Sequence, residues 1–109
     1  MKKIVLFMVF FTLLALEVYA AQIYGALKGS GGQPLADTDI TVSCGGNSYT
    51  AKTDKSGSYS LYAKVTGKCS FKISYRGKEV SADVFSYENA VRYDFDVVDS
   101  NGNYSLRRK

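Results

Sequence analysis

The chain of 109 residues contains no histidine, and this limits its chemistry before any fold is considered. An imidazole is the usual acid–base group near neutral pH, so Ser-His-Asp and Cys-His arrangements are excluded, as is a histidine-completed zinc site. The remaining reactive types are two cysteines, Cys44 and Cys69, and scattered carboxylates. The cysteines lack C-x-x-C spacing, which argues against a redox or metal pair. Asp94 and Asp96 share one face of an alternating segment and are the nearest approach to a carboxylate pair, but beside Arg92 they read as a solvated face. Asp54 with Asp37 and Asp39 lacks the spaced ligand series of a calcium loop. The residue types therefore predict no catalytic residue, no metal and no cofactor.

Two groups remain that would bind rather than react. Tyr24, Tyr49, Tyr62 and Tyr87 fall on polar-phase or loop positions, and a tyrosine ring offers an apolar body with a hydrogen-bonding tip, suited to stacking on a sugar or packing on a peptide. Arg107, Arg108 and Lys109 would contact phosphate-rich envelope lipid or an acidic partner; their plain reading is a solvated basic end. The net charge of +4 is mild and interspersed with acids, which speaks against a nucleic-acid binder.

The elements that must position these residues begin after residue 20. Lys2 and Lys3, the apolar run Ile4 to Leu16 and the small residues of Val18-Tyr19-Ala20 predict a signal peptide over 1–20, cleaved after Ala20. The run is too short for a spanning helix and is closed by Glu17, so no stable membrane insertion is expected after cleavage. A secreted or periplasmic location follows, and in an oxidising compartment two cysteines predict one disulfide. Ile40-Val42-Cys44 and Cys69-Phe71-Ile73-Tyr75 keep both cysteines in phase with a common core.

Asn47 to Val65 carries the sharpest local signal. In Thr53-Asp54-Lys55-Ser56-Gly57, Asp54 supplies an Asx-type acceptor and Gly57 a free backbone, the turn chemistry of a tight hairpin loop. After it, Tyr59, Leu61, Ala63 and Val65 alternate with polar residues. Further alternating segments are expected at Gln22 to Lys28, Thr38 to Cys44, Cys69 to Arg76, Lys78 to Phe85 and Val91 to Val98. With the two arms of the expected hairpin, these give seven short strands and no helix, an all-β antiparallel sandwich. The domain spans 21–98. Residues 99–109 form a polar tail with a turn at Asn101-Gly102, a short edge strand at Tyr104 to Leu106 and the basic end.

Gly25-Ala26-Leu27-Lys28, Gln33-Pro34-Leu35-Ala36 through Ile40-Thr41-Val42, and Thr53-Asp54-Lys55-Ser56-Gly57-Ser58-Tyr59-Ser60-Leu61 together resemble the carboxypeptidase regulatory-like family, over about Ile23 to Val98. Asp39 departs from the small apolar residue usual in that family. The resemblance implies a prealbumin-like, Ig-like sandwich that is a non-catalytic accessory, since the peptidase chemistry of the parent enzymes resides in a separate zinc domain. The expectation is a stand-alone binding or structural accessory of the cell envelope, a monomer or weak oligomer whose partner is an envelope protein or a polysaccharide. The alternative is a carbohydrate-binding module that uses the exposed tyrosines.

Overall fold

The computed structural model describes residues 21–109; the expected signal peptide at 1–20 lies outside the described residues. Among the described residues nine strands follow one another: β1 Ala21–Lys28, β2 Asp39–Cys44, β3 Asn47–Lys52, β4 Ser58–Ala63, β5 Gly67–Tyr75, β6 Lys78–Ser86, β7 Val91–Arg92, β8 Phe95–Ser100 and β9 Asn103–Arg108. They form two sheets, one ordered β4-β1-β8-β9 with β7 also on β1, the other β3-β2-β5-β6. The inner faces supply the apolar residues of the alternating segments. Ile23, Leu27, Tyr59, Leu61, Phe95 and Val97 from the first sheet meet Ile40, Val42, Phe71, Ile73, Val80 and Val84 from the second, all buried.

The all-β class and the disulfide follow the sequence expectation. Cys44 and Cys69 are bonded, with Cα atoms 4.4 Å apart. They extend the β2–β5 register beyond Ser43↔Ser70, so the bond crosses two neighbouring strands of one sheet on its core side.

The strand count and one connection differ from expectation. The seven strands expected of the domain are nine over the described residues, because one of the seven is split and the edge strand expected in the tail is present and longer than Tyr104 to Leu106. Val91 to Val98 is interrupted at Tyr93-Asp94, giving β7 and β8, and residues 103–108 pair with β8 along six positions, from Phe95↔Arg108 to Ser100↔Asn103. The Asn101-Gly102 turn has positive φ at both residues (55° and 87°), the backbone that a two-residue hairpin requires and that Asn-Gly adopts readily.

The Thr53–Ser58 turn is not a hairpin. β3 pairs with β2 and β4 with β1, so the turn carries the chain from one sheet to the other. Its local chemistry is as expected: Asp54 Oδ1 accepts from the Ser56 and Ser58 amides and the Ser56 hydroxyl, each at 2.9 Å. Those bonds favour the carboxylate and hold the Asp54 pKa below the ordinary aspartate value. What makes it a corner is Thr53. Its hydroxyl donates to Leu35 O (2.6 Å) and accepts from the Thr38 amide (2.8 Å). Its own amide donates to Thr38 O and its carbonyl accepts from the Asp37 amide. These bonds tie the end of β3 to the chain entering β2, and β4 is left to pair elsewhere.

Candidate functional site

The outer face of the first sheet is organised by an irregularity at Gly25. A Cβ at this position would collide with the Tyr93 carbonyl and stand 2.9 Å from Asp94 Oδ1. Without one, the 93–94 peptide turns inward between β7 and β8. Its carbonyl accepts from the buried Tyr59 hydroxyl at 2.6 Å, and the Tyr93 amide donates to Tyr24 O at 2.8 Å. Asp94 Oδ1 takes the Ala26 amide at 2.9 Å, replacing a backbone acceptor that the interruption removes. Burial pushes the Tyr59 hydroxyl far above the ordinary tyrosine range, with the nearby Asp94 charge adding to it.

The four tyrosines do not converge. Tyr24 and Tyr62 share the outer face, Tyr62 opposite Gln22 and Tyr24 opposite Ser60. The Gln22 amide donates to the Ser60 hydroxyl (2.9 Å) across the other diagonal of that square. Tyr62 is 59 % exposed, while Tyr24 is half-buried under the Arg92 guanidinium, 5.8 Å from its ring centre. Tyr49 is corrected: it lies opposite Val42 and packs against the core, because β3 shares the inward phase of β2. Tyr87 follows β6 and stacks on exposed Phe85, their ring centres 6.4 Å apart. Phe85 was missed because it alternates with buried Val84 and Ser86, where the sequence phase alone assigns an outward aromatic no role.

The basic residues are embedded in strand structure. Arg107 lies opposite Asp96 and 3.8 Å from its carboxylate. Arg108 donates to Arg92 O (3.0 Å) and lies over the Tyr93 ring at 4.3 Å. The Lys109 amide donates to Asp94 O at 3.0 Å. Asp94 and Asp96 each lie beside an arginine, but they do not form the solvated face expected, since their side chains are largely covered. Asp94 is spent on Arg92 and the Ala26 amide, which leaves no free carboxylate pair for acid–base work at this position.

Two strand edges contrast. On β6, Phe85's outward amide donates to the Tyr93 hydroxyl at 2.9 Å and its carbonyl accepts from the same group, so the C-terminal end of this edge is capped from the other sheet. On β4, the Leu27 amide donates to Gly57 O, which places the ladder rungs at odd-numbered residues and turns the N–H and C=O of Ser60 and Tyr62 outward. Ser58 spends its outward groups on Asp54. No strand pairs with this edge among the described residues, and Ser58–Ala63 carries no charge or proline, the usual guards of a free edge. Among the described residues no group of three or more His, Cys, Asp or Glu could hold a metal ion.

No protein-family model and no curated protein sequence matches the chain. Solved structures resemble it in fold alone. A candidate cell adhesion protein from Bacteroides fragilis matches with a TM-score of 0.50 at 13 % identity, over 84 % of this chain and 45 % of that one. A 9R-lipoxygenase from Cyanothece matches with a TM-score of 0.47 at 15 % identity, over 75 % of this chain and 17 % of that one. The chain thus matches less than half the length of either structure.

Proposed function

We propose that this protein is an exported, non-catalytic binding domain of the cell envelope, with a prealbumin-like sandwich of the carboxypeptidase regulatory-like type, and that it recruits an extended protein segment along β4. The observation that carries this reading is the β4 edge. It offers unpaired backbone groups at Ser60 and Tyr62, lacks charge, and is flanked by the exposed Tyr62 ring. Strand addition draws affinity from main-chain hydrogen bonds and specificity from alternate side chains, and Tyr62 and Tyr24 lie where such side chains would rest. The disulfide suits an oxidising, extracellular or periplasmic setting.

Ser60→Pro tests the reading, since it removes an outward N–H and no ladder bond. Capture of a partner from an envelope extract is expected to be lost in Ser60→Pro and reduced in Tyr62→Ala. Undiminished capture by Ser60→Pro, with the melting temperature unchanged, would contradict it.

A second reading, the carbohydrate-binding module, is favoured by the exposed Phe85–Tyr87 pair, whose interplanar angle is 23°. Polysaccharide retention that survives Ser60→Pro and fails in Tyr87→Ala would put this reading first.

A further inference from the structure

The opposite corner of the same outer face carries a cluster that strand edges do not explain. Parallel pairing of β1 and β8 sets Lys28 opposite Asp96, and antiparallel pairing of β8 and β9 sets Asp96 opposite Arg107. The result is a cation–anion–cation row across three strands. Lys109 is drawn beside it by its amide bond to Asp94 O. The glycine loop after β1 closes one side. It is fixed by the Gly29 amide donating to Gln33 O and the Gly32 amide to Gly29 O, and by Ser30, whose amide and hydroxyl lie 3.1 Å from the Tyr75 hydroxyl. Lys28, the loop, Asp96, Arg107 and Lys109 line an open groove of about 400 Å³, within the size range of small-ligand sites.

The charges in this groove do not cancel. Asp96 answers Arg107, and among the described residues neither Lys28 nor Lys109 has a carboxylate within ion-pair distance. The side chains of Lys28, Arg107 and Lys109 against that of Asp96 leave a positive balance, with Lys28 and Lys109 on separate strand ends lining one space. Asp96 forms the floor, with its side chain only 22 % exposed. We propose that the groove binds a phosphate monoester, whose tetrahedral oxygens reach the Arg107 guanidinium and both ammonium groups. The site is independent of the β4 edge.

The test is an amide-resolved NMR titration of the disulfide-bonded protein with glycerol 3-phosphate at constant ionic strength. Saturable shifts confined to the amides of Lys28, Gly31, Gly32, Arg107 and Lys109 are expected. Lys28→Gln with Lys109→Gln should weaken binding about tenfold. Lys55→Gln with Lys64→Gln, an equal charge change away from the groove, should leave binding unchanged. Sedimentation with vesicles containing phosphatidic acid separates the sources. Co-sedimentation lost in the Lys28/Lys109 variant assigns the phosphate to a lipid headgroup, and saturable shifts without co-sedimentation assign it to a soluble ester. Shifts that do not saturate, that spread over all lysines, or that weaken equally in the Lys55/Lys64 variant overturn the proposal.

Discussion

The two sheets of this sandwich are built on different terms. In β3-β2-β5-β6 every pairing is antiparallel. Two of its connections are two-residue turns, Gly45-Gly46 and Arg76-Gly77, with positive φ at all four residues. Its outer face is mostly serine, threonine and charge, tied by exposed pairs such as Lys52–Asp39 and Lys68–Asp83, which contribute little stability. In β4-β1-β8-β9 the central pairing is parallel, the neighbours of β1 come from distant parts of the chain, and the interruption at Gly25 breaks the ladder. The cationic groove and the open uncharged edge both lie on this sheet. Hairpin pairing brings together residues already close in sequence, whereas distant pairing gathers Lys28, Asp96 and Arg107 into one row, on the sheet where both proposed sites lie.

The contrast can be broken first in the regular sheet. Cys44→Ala with Cys69→Ala removes a bond across a sequence separation of 25 and should cost about 3.5 kcal/mol in urea unfolding, with hydrogen-exchange protection lost earliest in β2 and β5. Gly25→Ala attacks the irregular sheet. Because the group struck hardest, the Tyr93 carbonyl, is backbone, the interruption must reopen, at a cost of about 3 kcal/mol. Gly77→Ala, in a hairpin turn of the other sheet with φ +79° and open space at Cβ, should cost about 1 kcal/mol. Equal losses for the two glycines would dissolve the distinction.

Tyr59→Phe sharpens it further, leaving the inward Tyr93 carbonyl without its donor at a cost of about 1.5 kcal/mol. This variant also carries a pH signature. The folded Tyr59 pKa is raised, so its contribution is intact below the ordinary tyrosine value. As pH rises above that value the unfolded chain ionises first and stability falls, a limb that Tyr59→Phe should flatten.

The corner between the sheets has the opposite sign. Asp54's pKa is lowered in the fold, so its contribution is present above the ordinary aspartate value and is lost as pH falls through the folded one. Asp54→Asn should flatten that acid limb, as read by melting temperature against pH. The smallest stability effect is expected from Tyr62→Ala, within about 0.5 kcal/mol of the parent, although it is expected to reduce partner capture.

Much of this architecture is legible in the sequence where the cause is local. Period-two alternation marks the strands and their inner faces, the phase of Cys44 and Cys69 anticipates the disulfide, and Asn101-Gly102 announces its hairpin. What fails to be legible is set by distant partners. Asp54 and Gly57 specify a turn equally well whether its arms pair or part; the decision belongs to Thr53 and its bonds to Leu35, Asp37 and Thr38. The interruption at Tyr93-Asp94 depends on Gly25 lying on the adjacent strand. Tyr49 misleads because Asn47–Lys52 offers only Tyr49 and Ala51 to set the phase. The groove requires the registers of three strands, so Lys28 has no visible connection to Arg107 in sequence.

The central claim is that the irregular sheet presents the binding edge, and a photo-crosslinking residue placed at Ser60 on β4, compared with one at Thr50 on β3, tests it most directly. In an envelope extract the account predicts one dominant adduct from Ser60, absent from Thr50 and suppressed by Tyr62→Ala. The same adduct from both positions, or from Thr50 alone, would contradict it.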